Sequence, residues 1–131
     1  MRRDAGQAIV EFALVLPVLL AAAFAIVLVA EIGVARLALQ HAVAEGAREG
    51  ALTNDDQLVR ETLAAAVAPL SADRVTTAIE PPSTEPPRTA DPRGSLLTVR
   101  ASYEIPLPLA FIALPRLVVS ASATRRMEWT P

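Results

Sequence analysis

The N-terminal part of the chain is dominated by one apolar run. Between Phe12 and Ala30 no residue is charged, and Pro17 alone interrupts a series of Leu, Val, Ile, Ala and Phe. A helix over this run has a length of ~29 Å at ~1.5 Å per residue, which is about the thickness of the hydrocarbon core of a bilayer. The pattern therefore predicts a membrane-spanning helix. Pro17 is expected to kink that helix, or to mark a place where a neighbouring helix packs.

Beyond Ala30 the pattern becomes amphipathic but remains helical. From Glu31 to about Gly50, apolar residues recur every three or four positions, and no proline separates this stretch from the apolar run. We therefore expect one helix from about Gln7 to Gly50, half of it in lipid and half outside as a stem. Small residues that permit close packing recur on it at every fourth position: Ala38, Ala42, Gly46 and Gly50. This stripe packs either against the chain's own sheet or against another subunit.

Residues 51–131 predict a small domain outside the membrane. Residues 53–56, Thr-Asn-Asp-Asp, predict the capped and acidic start of a second, short helix that ends near Pro69. Alternating apolar and polar residues predict a partial strand over 74–79 and clear strands over 97–103 and 117–124. The proline-rich residues 81–94 are expected to form a mobile or polyproline-like loop, and the apolar residues 105–115 a connection lying on the core or on the membrane surface.

These elements together predict an α+β fold. It consists of a long N-terminal membrane-spanning helix that continues into a stem, a second short helix and a small antiparallel sheet. The apolar run explains much of the hydrophobic content of 53%, which is high for a soluble protein.

Composition argues against several classes of function. The net charge of −2 provides no overall basic field, so nucleic acid is not an expected partner. The chain has no cysteine, which excludes disulfides, thiol catalysis and cysteine-based zinc sites. His41 is the single histidine, and the five glycines are too scattered to form a phosphate-binding loop. We expect a protein that is not an enzyme and that takes no cofactor, metal or small-molecule substrate.

One carboxylate, that of Glu11, stands at the start of the apolar run. An acidic side chain costs ~2.5–3.5 kcal/mol at the centre of a membrane helix and less near the interface. If the chain were cut between Gly6 and Gln7, the new α-amine would lie one helical turn from Glu11 and on the same face. An opposite charge at ~4 Å contributes up to ~4 kcal/mol at an effective dielectric constant of ~20, enough to offset the cost.

The segment Gly6-Gln7-Ala8-Ile9-Val10-Glu11-Phe12, followed by an apolar helix, resembles the cleavage region of class IV prepilins. It is more closely similar to the start of the TadE-like family, which comprises minor pilins or pseudopilins of the tight-adherence (Flp) pilus. The similarity extends strongly to residue 50. It implies that a prepilin peptidase cuts between Gly6 and Gln7, and that Glu11 and Phe12 guide docking during assembly.

The resemblance also implies a pilin-like organisation. Residues 1–6 are a leader peptide, residues 7–50 the membrane and stem helix, and residues 51–131 an extracytoplasmic α+β domain. The expected partners are other pilin subunits, the pilus assembly platform, the prepilin peptidase and the lipid bilayer. Arginines flank both ends of the apolar run, so a single-pass orientation in the cytoplasmic membrane with a cytoplasmic N-terminus rests on the resemblance.

Two alternatives stay open. In the first, the chain is a single-pass membrane-anchored binding module unrelated to pili and is not cut. In the second, residues 21–23, Ala-Ala-Ala, form a signal-peptidase site that releases a secreted domain. Glu11 and the continuation of the apolar run to Ala30 argue against this second alternative. For the pilin itself, incorporation into the fibre and retention at its base are both open.

Overall fold

The computed structural model of the chain describes residues 2–105 and 116–130, with side chains from Gly6 onward. The elements are α1 (Arg2–Thr53), α2 (Asp56–Ala66), a single 3-10 turn (Ala72–Arg74), β1 (Val75–Glu80), β2 (Leu96–Ile105) and β3 (Leu117–Arg126). This order confirms the predicted α+β class with one long helix, one short helix and an antiparallel sheet. Apart from Ile105, the predicted connection over residues 105–115 lies outside the described residues.

Contacts divide the chain into two units, Met1–Gly33 and Val34–Pro131. The first unit consists of the N-terminal part of α1, and most of its large apolar side chains are exposed. Helix α1 is long and apolar enough to span a membrane, with a mean hydropathy of 3.0 over its most apolar eighteen-residue stretch, none of which is buried. Its α-helical conformation continues through Pro17.

Helix α1 ends where Asn54 adopts a left-handed conformation, with a φ of 57°. Asparagine tolerates this region better than most residues, and its N–H donates to the carbonyl oxygen of Gly50 at 3.0 Å, which closes the last turn. The next residue, Asp55, caps α2 as predicted, because its Oδ1 accepts from the backbone N–H of Gln57 at 2.7 Å.

The sheet of the second unit has the strand order β1-β2-β3, and both pairs are antiparallel. Strand β2 pairs with β3 over ten consecutive positions, from Leu96 opposite Arg126 to Ile105 opposite Leu117. Alternate side chains of β2 are buried, as the period of two requires: Leu97, Val99, Ala101, Tyr103 and Ile105. The three predicted strands are therefore present, each within a few residues of its expected bounds.

The part of α1 in the second unit buries one face, which follows the helical period. This face includes the predicted small-residue stripe, and its residues are Ala35, Ala38, Leu39, Ala42, Val43, Gly46, Ala47, Gly50 and Ala51. A Cβ added at Gly46 would lie 3.5 Å from Cγ1 of Val59 and 3.6 Å from Cβ of Leu63, both on α2. One added at Gly50 would lie only 2.6 Å from Cδ2 of Leu97 on β2. Gly46 and Gly50 of the stripe thus pack against the chain's own α2 and β2.

Replacing Gly50 with alanine is expected to lower the free energy of unfolding of the second unit by up to ~2 kcal/mol. The added methyl group overpacks a contact between buried side chains, which destabilises the fold by ~1–3 kcal/mol. The better helix propensity of alanine offsets ~1 kcal/mol of this loss. Gly46→Ala is the matched control, since its new contacts are ordinary and only the propensity gain remains. Urea unfolding of the full chain in detergent micelles, followed by the fluorescence of the single tryptophan, Trp129, measures both. Equal effects of the two substitutions would contradict this packing.

The proline-rich residues 81–94 differ from the expected mobile or polyproline-like loop. They form successive turns closed by backbone hydrogen bonds, in which Glu85 N–H donates to Pro82 O, Thr89 N–H to Glu85 O and Asp91 N–H to Pro87 O. Polyproline helices lack such internal hydrogen bonds. The physical reason for the difference is a buried arginine, Arg88, at the centre of the segment.

Candidate processing and docking site

The four residues expected to take part in processing and docking lie on the first turns of α1. Gly6, Gln7, Glu11 and Phe12 are all exposed, and Phe12 keeps 63% of its surface accessible. Gln7 and Glu11 are four positions apart in a continuous helix, so they are neighbours on one helical face. A Cβ built on Gly6 meets no atom within 4 Å, which leaves the Gly6–Gln7 peptide bond uncovered on that side.

Glu11 is the single charged residue between Gln7 and Ala30. Among the side chains that the structure describes, from Gly6 onward, none forms an ion pair or hydrogen bond with its carboxylate. A carboxylate at the edge of an apolar run is stable there when a partner charge compensates it.

The remaining residues expected to pack against other helices lie in different environments. Pro17 is exposed on the N-terminal part of α1. Ala38, Ala42, Gly46 and Gly50 are buried in the second unit, where Ala42 has no accessible surface. These four positions are therefore occupied by contacts within the chain, whereas Pro17 lies on a surface that is open to another helix.

Arg88 is the one buried charged residue in the described part of the second unit, and sequence reasoning did not single it out. Its guanidinium Nε donates to Oδ1 of Asn54 at 2.8 Å, and its Nη1 donates to Oδ1 of Asp56 and to the carbonyl oxygen of Pro81. Asp56 Oδ2 accepts from the backbone N–H of Ser83 at 2.9 Å. The corner between α1 and α2 is thereby tied to the start and to the centre of the proline-rich turns.

The contacts of Arg88 join groups of the chain to one another. Each polar group named above bonds another group of the chain, and Nη2 of Arg88 is buried without a partner among the described residues. Within residues 6–105 and 116–130, no group of three or more His, Asp or Glu side chains is placed to hold a metal ion. The contact between Arg88 and Asp56 was hard to predict from the sequence, because the two residues are 32 positions apart and neither belongs to a periodic pattern.

Comparison with known proteins gives one match. No curated protein and no solved structure matches the chain. The model of the family described as TadE-like protein matches residues 6–48, which run from the glycine of the expected cleavage site through the apolar run to the buried part of α1. Over residues 6–48 the chain is therefore similar to proteins of the TadE-like family.

Proposed function

We propose that the chain is a membrane-anchored minor pilin or pseudopilin that takes part in the assembly of a Flp-type, tight-adherence pilus. One observation carries the proposal: the TadE-like match coincides with an exposed apolar helix that holds a single carboxylate at its start. The role is structural, and it requires other pilin subunits, an assembly platform and a prepilin peptidase as partners.

In this proposal the apolar part of α1 first anchors the subunit in the cytoplasmic membrane. Burying its exposed side chains in lipid is favourable by ~25 cal/mol per Å² of apolar surface. The same surface later packs against the helices of other pilins, where close contact replaces lipid contact. The N-terminus is cytoplasmic and the second unit lies outside.

Glu11 sets the register of docking in the proposed mechanism. Cleavage between Gly6 and Gln7 creates an α-amine that pairs with Glu11 of the same chain or of a neighbouring subunit. Both charges lie in a medium of low dielectric constant, so an unpaired carboxylate is costly and a paired one is favoured. A subunit that docks out of register leaves this carboxylate without a partner.

Cleavage is tested by the intact mass and N-terminal sequence of the protein extracted from membranes of its host. We expect a chain that begins at Gln7, either free or cyclised, and a Gly6→Leu variant that keeps residues 1–6, because a bulky side chain at the cleavage glycine obstructs the peptidase. Gly33→Leu is the matched control, since Gly33 is also exposed on α1 with no atom within 4 Å of an added Cβ.

The other outcomes of this measurement contradict the proposal. A wild-type chain that begins at Met1 in a host with an active prepilin peptidase indicates an uncut membrane anchor. A soluble chain that begins at Phe24 indicates release by signal peptidase and removes the basis for membrane anchoring.

A further inference from the structure

Over residues 117–124, strand β3 is a sheet edge without the features that usually protect one. It pairs with β2 on one side, and across the described residues no backbone group outside β2 bonds to Leu117–Arg126. Its pairing is regular over ten positions with no bulge, and residues 117–124 include neither a charge nor a proline. Native edges are normally protected by charges, prolines, bulges or short length. Such a long and regular edge is a template for another strand.

Open space lies beside this edge. Two grooves of about 370 Å³ and 400 Å³ run along β3, one at its C-terminal end and one at Ser120–Ser122. Helix α1 lines both grooves with residues spaced by four positions, which form one row along the helix: Arg36, Gln40, Ala44, Arg48 and Leu52. We call the space between this row and β3 the β3 groove. It lies entirely within the second unit.

The β3 groove is basic in a chain whose net charge is −2. Five arginines and two glutamates line it. Within the described side chains, Arg100 alone among these arginines has a carboxylate within 4 Å, that of Glu80 at 3.7 Å. Arg36, Arg48, Arg125 and Arg126 have none, and all four are exposed. Their charges favour an acidic occupant.

We propose that the β3 groove binds an extended, acidic segment of another protein, which joins the sheet as a fourth strand beside β3. Backbone hydrogen bonds along the edge supply affinity, as in other cases of strand addition. Carboxylates of the segment contact Arg48 and Arg125 at the C-terminal end of β3 and determine its direction and register. The β3 strand of a second copy carries no acidic residue, so charge favours a different protein. The inference rests on the second unit alone and is independent of the proposed function.

The test uses the full chain in detergent micelles and a fluorescent synthetic peptide. The peptide has ten residues, equal to the length of β3, with alternating valine and serine and two glutamates at one end. A control peptide carries lysines in place of the glutamates. We expect the acidic peptide to bind at least about tenfold more tightly than the basic one, and to slow amide hydrogen exchange in β3.

Charge variants of the protein locate the contact. Arg48→Glu combined with Arg125→Glu is expected to weaken binding of the acidic peptide by about tenfold or more. Arg93→Glu is the matched control, because Arg93 is also exposed but does not line the groove, and it is expected to change binding by less than about twofold.

Three results overturn the proposal. The first is equal binding of the two peptides or no binding at millimolar concentration. The second is binding that leaves hydrogen exchange in β3 unchanged. The third is slow exchange in β3 that depends on protein concentration without peptide and accompanies dimer formation in sedimentation, since a second copy then occupies the groove.

Discussion

Replacing Glu11 with alanine is expected to abolish pilus assembly while the protein remains in the membrane. The substitution removes the charge that is proposed to pair with the α-amine of Gln7, an interaction of up to ~4 kcal/mol at ~4 Å and an effective dielectric constant of ~20. Because 1.4 kcal/mol corresponds to a factor of ten in an equilibrium constant, loss of even half of this energy lowers docking by more than about tenfold. Membrane insertion becomes more favourable, because a carboxylate leaves the apolar run.

The measurement compares pili and membrane fractions from a host in which the variant replaces the native chain. Glu31→Ala is the matched control, since Glu31 is an exposed carboxylate at the other end of the apolar run. We expect Glu31→Ala to assemble normally and Glu11→Gln to fail like Glu11→Ala, because glutamine keeps the shape but not the charge. Normal assembly of Glu11→Ala would show that the carboxylate has no docking role.

Replacing Arg88 with alanine is expected to destabilise the second unit by ~3 kcal/mol. Breaking a buried ion pair by removing one partner costs ~3–5 kcal/mol, because the other charge stays buried. The lower end of this range applies here, since the side chain of Asp56 retains 12% of its accessible surface and can be partly hydrated. The bonds from Arg88 to Asn54 and to the carbonyl oxygen of Pro81 are lost as well.

Urea unfolding followed by Trp129 fluorescence measures this loss in the full chain. Arg93→Ala is the matched control in the same segment and is expected to change the free energy of unfolding by less than ~0.5 kcal/mol, because Arg93 is exposed. In a chain that already carries Asp56→Ala, the additional effect of Arg88→Ala should be smaller than in the wild type. Additive effects would mean that the Arg88–Asp56 pair contributes nothing.

The helices and strands were predictable from the sequence, because the side-chain pattern of each repeats every few residues. The apolar run specifies the spanning part of α1, and alternation in β2 and β3 specifies their buried and exposed faces, because side chains follow the period of each structure. Asp55 was predictable as a cap from its position ahead of an apolar helix pattern. Strand ends were displaced by a few residues, since pairing with a neighbouring strand extends a strand beyond its own pattern.

The contacts that depend on distant residues were not predictable. The proline content of residues 81–94 suggested an extended loop, yet one arginine that meets Asp56 holds the segment in turns. The small-residue stripe was recognised as a packing face, but its composition does not distinguish a contact with Leu97 of the same chain from one with another subunit. The residues of the candidate processing site form one continuous motif, and their role stays a prediction.

The contacts between residues 127–129 and the rest of the second unit determine when during synthesis this unit can fold. Glu128 N–H and Trp129 N–H both donate to the carbonyl oxygen of Ala51, and the adjacent Met127 is buried and bonds through its backbone to Gly94 and Ser95. These contacts cannot form until residue 129 has left the ribosome. The apolar run emerges much earlier in synthesis, so it is available to the membrane while the buried face of α1 still lacks its sheet. In the proposed membrane-anchored pilin, insertion of the apolar run therefore precedes folding of the second unit, and a translating ribosome that stalls within β3 leaves that face uncovered.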